Sequence, residues 1–310
     1  MKRWGIFVLA FVFLLSGCKK EASTAEATVF AMDTVMQFSV TGPEPEKALE
    51  EVTSLVEKLE QQWSASSPDS VISDLNRGAE LENAAQKAVV EKALELSRRT
   101  GGAFDPRLYA ATEAWGFPTK EFRIPSEEEI AAALKEKKWD LGAAIKGYAG
   151  QEAAALLQQR GCSGILNLGG NVQTVGEKAD GTPWRVGIQN PQGGDYLGVL
   201  SVTGTKSVVT SGDYQRYFER DGVRYHHILD PETGAPARSG LQSVTVVCAD
   251  GMTADALSTA LFVLGLEKGA ALWWESTDFE AVFLTTEGRL YVTEGLTLSD
   301  CPQGFEVIKR

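Results

Sequence analysis

The chain has 310 residues, 43% of them hydrophobic and 23% charged, with a formal net charge of −12 and a pI near 4.8. This composition excludes a disordered or low-complexity chain. The acidic balance argues against a nucleic-acid partner, which demands a basic face.

In chain order, Lys2 and Arg3 precede an apolar run from Trp4 to Leu15. The run falls short of the ~20 residues needed to span a bilayer and suits the core of a secretory signal. Leu15-Ser16-Gly17-Cys18 is similar to a bacterial lipobox, which predicts cleavage before Cys18 and acylation of that cysteine. The expected organisation is a signal peptide over 1–17, a flexible tether over 18–28 and a folded domain over 29–310, held by lipid on the outer side of the cytoplasmic membrane. Cys162, Cys248 and Cys301 remain, an odd number without a CxxC or Cys/His cluster, so neither complete pairing nor zinc is expected.

VMQFSV (35–40) alternates as a strand does. Helices are expected over 46–63, over 84–99 before Gly101-Gly102, from Ser126 onward, and between Gly142 and Gly161. From 164 the chain turns to short strands between glycine turns. YFER-DG-VRYHHIL reads as a hairpin, LQSVTVVCA as a strand, 254–264 as a helix, and EAVFLTT with GRLYVTEG as a second hairpin. The fold class is α+β, a single compact two-lobed domain with a helical first half and a sheet-rich second half.

Several patterns carry chemistry. Asp255 and Thr259 share one side of their helix, about 40° apart, opposite the stripe of Leu257, Ala260, Leu261 and Leu264. A carboxylate and a hydroxyl there suit Mg²⁺ or Ca²⁺, though spacing alone favours the plainer reading of an acidic first-turn residue beside a solvated threonine. WDLGAAIKGYAG sets Asp140 and Lys146 around a helix start able to hold phosphate. NLGGNV permits close ligand approach, or is simply a tight turn. TSGDYQR offers Ser211 without a GxSxG elbow, which gives a serine nucleophile little support. The two histidines, His226 and His227, fall on opposite faces if their strand is regular, which disfavours a paired metal site.

Taken in order, MDTVM, WSASSPDSVISDLN, GGAFDP, DLGAAIKGYA, NLGGNV, WRVGIQNP, TSGDYQRYF, HHILDPETGAP and ADALSTALFVLG resemble the ApbE family of FAD:protein FMN transferases over roughly 30–305. The resemblance implies a T-fold-like α+β enzyme that uses FAD as substrate and Mg²⁺ as cofactor, transfers FMN to a threonine or serine in an Ala-Thr-type motif, and releases AMP. It implies acceptors among Rnf- or Nqr-type or other extracellular electron-transfer flavoproteins. It further implies that Met32, Ser66, Ala103, Phe104, Asp105, Asp140, Lys146 and Leu229 meet FAD. By the same resemblance Ala143 (through its carbonyl), Asp255, Ser258 and Thr259 hold the metal, and His227 and Asp255 serve catalysis, with His226 a bystander. Two positions depart from the family pattern. Ser66 stands where many members carry tyrosine, and Ser258 where many carry aspartate. A Mg²⁺-dependent FAD pyrophosphatase and a non-catalytic flavin-binding lipoprotein are the alternatives.

Overall fold

The computed structural model describes residues 23–194 and 196–310. Cys18 and the signal segment lie outside the described residues. Strands β1 (Ser23–Ala31) and β2 (Thr34–Gly42) pair residue for residue. The tether expected over 18–28 is therefore corrected, because Ser23 already belongs to the sheet. Its small polar residues conceal a period of two: Ala25, Ala27 and Val29 pack on the core, while Thr24, Glu26, Thr28 and Phe30 face out. The two residues of the turn, Met32 (φ 50°) and Asp33 (φ 60°), are both left-handed, as a two-residue hairpin of matching twist requires.

The helices follow: α1 (Pro45–Trp63), α2 (Val71–Asn76), α3 (Ala84–Arg99), α4 (Tyr109–Ala114), α5 (Glu127–Lys135) and α6 (Ile145–Gln159). Their starts are chemically marked. Asn83 caps α3, and Ser126 with Glu129 forms a full capping box on α5. The apolar stripe of α1, Leu49, Val52, Val56, Leu59 and Trp63, is buried as its spacing predicts.

The remaining elements are β3 (Ser163–Asn167), β4 (Asn171–Val175), β5 (Trp184–Ile188), β6 (Gly198–Val202), β7 (Lys206–Gly212), β8 (Tyr217–Arg220), β9 (Val223–His226), β10 (Leu241–Cys248), α7 (Gly251–Trp274), β11 (Phe279–Thr285), β12 (Leu290–Thr293), β13 (Leu298–Ser299) and β14 (Glu306–Ile308). Nine strands form one sheet in the order β1-β2-β3-β4-β7-β10-β11-β12-β14, antiparallel except for the last pair. The α+β class holds, but the N-terminal hairpin supplies two strands to the sheet of the second half, so one sheet joins the two halves.

One face of this sheet carries α1, α6 and α7. Met36, Phe38 and Val40 of β2 meet Val52 and Val56 there, and Val244 and Val246 of β10 meet Leu257 and Leu261. The other face carries a small sheet, β13-β6-β5, through Val186, Leu200, Val208 and Val282. Helix α7 extends beyond the expected 254–264. It starts at Gly251 under an Asp250 cap, breaks at Gly265 (φ 79°, ψ 176°) and resumes to Trp274. It is buried on nearly every side, because Met252, Ala256 and Ala260 pack into the helical core while Ala254, Leu257 and Leu261 pack on the sheet. Such a helix has no polar face to reveal its full length.

Candidate functional site

A cleft of about 720 Å³ opens where the β1–β2 turn, the end of α1, the start of α6, the β3–β4 turn, the end of β7 and the chain after β9 converge. Met32, Ser66, Ala103, Phe104, Asp105, Asp140, Ala143, Lys146, His227, Leu229, Asp255 and Thr259 all line it. Ser258 does not. Its buried hydroxyl donates to the Asp255 carbonyl at 2.8 Å and pairs with Ser211 Oγ at 2.8 Å. The expectation of Ser258 as a metal ligand is therefore corrected. A residue three positions after Asp255 turns its short side chain back into its own helix, and Ser258 acts instead on Ser211, which also lies 3.3 Å from Thr259 Oγ1.

The centre of the cleft is the crossing of α6 and α7. Gly147 and Gly251 meet backbone to backbone, and a Cβ on Gly147 would fall on the Gly251 carbonyl and 2.8 Å from Asp255 Cβ. This approach lets the Gly147 amide donate to Asp255 Oδ2 at 2.9 Å. Gly147 lies in the first turn of α6, after the Ala144 cap, where backbone amides have no partner within the helix, and the Asp255 carboxylate satisfies this one. Ala143, just before that cap, lines the same cleft as Asp255. Burial pushes the Asp255 carboxyl above the usual carboxylate range, opposed by Lys146 and by the Gly147 and Lys146 amides.

The residues present fit a hard divalent cation. Among the described residues no three His, Cys, Asp or Glu side chains cluster. The set is one carboxylate, one hydroxyl and one carbonyl, which suits an ion that completes its shell with water and ligand phosphate oxygens. Asn171 adds a buried polar group: it is 1% exposed, lines the cleft, and its amide faces the Asp255 carboxylate and helps to hold that group down.

Asp140 accepts from the Gly142 amide at 2.7 Å, and burial pushes it upward against that bond, Lys146 and Arg216. Asp105 is engaged by Arg107 at 3.2 Å and Lys137 at 3.4 Å, so its carboxylate closes the loop around Ala103 and Phe104. Ser66 stands exposed at the rim and bonds Ser64 Oγ at 2.9 Å. Met32 is held by its own amide, which donates to Glu60 Oε1 at 2.7 Å.

The histidines separate as strand alternation requires. His226 is buried, its ring edge-on to Phe262, with Nε2 donating to the Ala237 carbonyl at 3.0 Å. His227 opens on the cleft. Its Nδ1 lies 3.2 Å from the Arg216 carbonyl, which can only accept, so Nδ1 carries the proton and Nε2 is the free base. Burial in the cleft wall and the Arg216 guanidinium hold His227 well below the usual imidazole range, hence neutral. Leu229 packs with Trp115 and Phe117 under the far wall.

Other cleft residues escaped the sequence reading. Glu60 and Trp63 sit on α1, where Trp63 reads as core and Glu60 as solvent. Asn171, Thr210, Tyr214 and Arg216 lie within quoted motifs, but nothing local marks their side chains as facing a ligand.

This fold and cleft define an α+β protein with one cleft that gathers buried carboxylates, Lys146, Arg216 and a histidine. The family model described as "ApbE family" matches residues 32–283. A protein of Treponema pallidum (strain Nichols) named FAD:protein FMN transferase is 33% identical over 318 aligned residues, covering 89% of this chain and 88% of the relative. One of the same name from Vibrio cholerae (strain O395) is 33% identical over 304 residues, covering 88% and 90%. The solved ApbE protein of Thermotoga maritima superposes with a TM-score of 0.82 at 32% identity, over 88% of this chain and 98% of that one. The chain belongs to the ApbE family.

Proposed function

We propose that this enzyme transfers FMN from FAD to a threonine or serine hydroxyl of an acceptor redox protein and releases AMP, with Mg²⁺ as its cation. One observation carries the reading: Asp255, Thr259 and Ala143 line a single cleft of an ApbE-family chain together with Lys146 and a neutral histidine. The names of the relatives, FAD:protein FMN transferase, support flavin transfer.

In this reading Asp255, Thr259 and Ala143 hold the cation, which when bound neutralises charge on the pyrophosphate. Lys146 and Arg216 draw the phosphates into an otherwise acidic protein. Met32, Ala103 and Phe104 contact FAD, and Leu229 meets it from the far wall. The acceptor oxygen attacks the FMN phosphorus as the P–O bond to AMP breaks, and its proton passes to His227 Nε2. The Arg216 carbonyl holds the ring so that Nε2 stays the acceptor. The reading also keeps the enzyme on the outer face of the cytoplasmic membrane through a lipid on Cys18. Mass spectrometry of the membrane fraction tests this, since Cys18→Ser should release the protein.

Incubation with FAD, Mg²⁺ and a domain carrying an Ala-Thr motif tests the activity. Covalent flavin on the acceptor with stoichiometric AMP is expected. Free FMN and AMP would instead establish a pyrophosphatase, and unchanged FAD a binding protein.

A further inference from the structure

A second cavity, about 800 Å³, lies on the opposite face of the main sheet and meets the first. Gly170, Gln189, Thr210, Tyr214 and Gln215 line both. Its floor is the outward face of β1, β2 and β3, with Thr28, Ser39 and Ile165. Its side wall is β5: residues 185 to 189 line it consecutively.

β5 is the outer strand of the small sheet, paired with β6 on one side only. Among the described residues no strand pairs with its other edge. An unpaired strand edge carries a row of free N–H and C=O groups, the template for adding a strand. Here that edge runs beside a cavity instead of open solvent, over five residues or about 17 Å. Glu26 and Arg185 are the charged residues of the lining, so the cavity favours an uncharged segment. Where the two cavities join, the Tyr214 hydroxyl is buried with no hydrogen-bond partner, and burial pushes it up to about 12. Its neutral O–H is a donor left unused.

We propose that this cavity is the acceptor channel, in which an extended, uncharged segment of the acceptor protein pairs with the free edge of β5 and passes its hydroxyl residue by Tyr214 into the flavin cleft. This rests on the transferase reading above and adds the route by which the acceptor enters. The two cavities give FAD and acceptor separate doors, so an acceptor can reach a cleft already loaded with FAD.

The test uses the full chain loaded with FAD and Mg²⁺ and an acceptor peptide carrying the Ala-Thr motif. Thr28→Trp and Ser39→Trp place an indole on the channel floor, away from the flavin cleft. Thr28 is exposed, so its replacement leaves the core untouched. Both variants should raise the KM for the peptide at least tenfold, with the Kd for FAD, read by flavin fluorescence, within twofold of the parent. Hydrogen exchange provides the second measurement. The same peptide with valine for threonine, which cannot react, should protect amides of residues 184 to 189. Unchanged peptide KM in both variants overturns the channel while leaving the transferase reading intact. Protection elsewhere than β5 overturns it too, as does protection of β5 that follows protein concentration instead of peptide, which would mean a second copy docks there. Failure of the parent enzyme to flavinylate the peptide overturns the transferase reading and the channel with it.

Discussion

His226 Nε2 donates to the Ala237 carbonyl, and its Nδ1 is buried with no partner. Burial, with Arg238 and Arg224 nearby, pushes its pKa down to about 4 despite the Ala237 bond. A histidine whose folded pKa lies below its unfolded value of ~6.5 binds protons more readily in the unfolded chain. Its contribution to stability is therefore whole above pH 6.5 and lost as pH falls from 6.5 through 4. At 1.36 kcal/mol per unit the loss is about 3 kcal/mol. His226→Gln keeps a donor toward Ala237 and cannot titrate, so chemical denaturation at pH 7 and pH 4.5 should show a flatter dependence in the variant. An equal pH dependence would deny His226 this part. Asp255 has the opposite sign. Its folded pKa is raised, so the buried carboxylate costs stability at neutral pH, a cost that the proposed cation site would explain. Asp255→Asn should melt no lower than the parent without metal, and should bind Mg²⁺ roughly 100-fold more weakly or worse by calorimetry. Unimpaired Mg²⁺ binding would remove Asp255 from the cation site.

At the scale of elements, the site depends on how closely α6 and α7 cross. Gly147→Ala or Gly251→Ala forces the two backbones apart, at a cost of about 1–3 kcal/mol for overpacking alone. It also withdraws the Gly147 amide from Asp255. Thermal unfolding should show the loss, and Mg²⁺ affinity should fall with it; a fall in melting temperature without loss of affinity would uncouple the crossing from the site. Neither glycine stands out in DLGAAIKGYAG or CADGMTADALST, because the feature that fixes each lies about 100 residues away. What the sequence makes legible is local. The I′ turn at Asp221-Gly222, the capping box at Ser126 and the stripe of α1 each follow from neighbouring residues. The strand alternation that parted His226 from His227 is of this kind as well. The motifs also name their own loops, so most candidate residues reach the cleft. Legibility fails where orientation depends on tertiary contact: Ser258 turns inward toward Ser211, Asn171 is buried beside the cleft, and β1 hides in a stretch that composition presents as a tether.

At the scale of the molecule, the cleft is made by segments from Met32 to Thr259, which include the edge hairpin, α1, α6, β7 and α7. No two-element piece of the fold contains it, so a ligand in the cleft stabilises the whole assembly against unfolding. The linkage is RT ln(1 + [L]/Kd), about 2.7 kcal/mol at 100 times Kd. For a domain of this size that is a rise in melting temperature of roughly 4–5 °C. In the proposed cation site the protein offers a single carboxylate, too little to hold a divalent cation tightly by itself, so ligand phosphates would complete the set. FAD and Mg²⁺ together should therefore raise the melting temperature by more than the sum of their separate effects. Asp255→Asn should keep the increment from FAD and lose the excess. Differential scanning fluorimetry over the four combinations measures this directly. Strictly additive shifts in the parent would mean that cation and flavin phosphates do not share a site, and the assignment of Ala143, Asp255 and Thr259 as its protein side would fall.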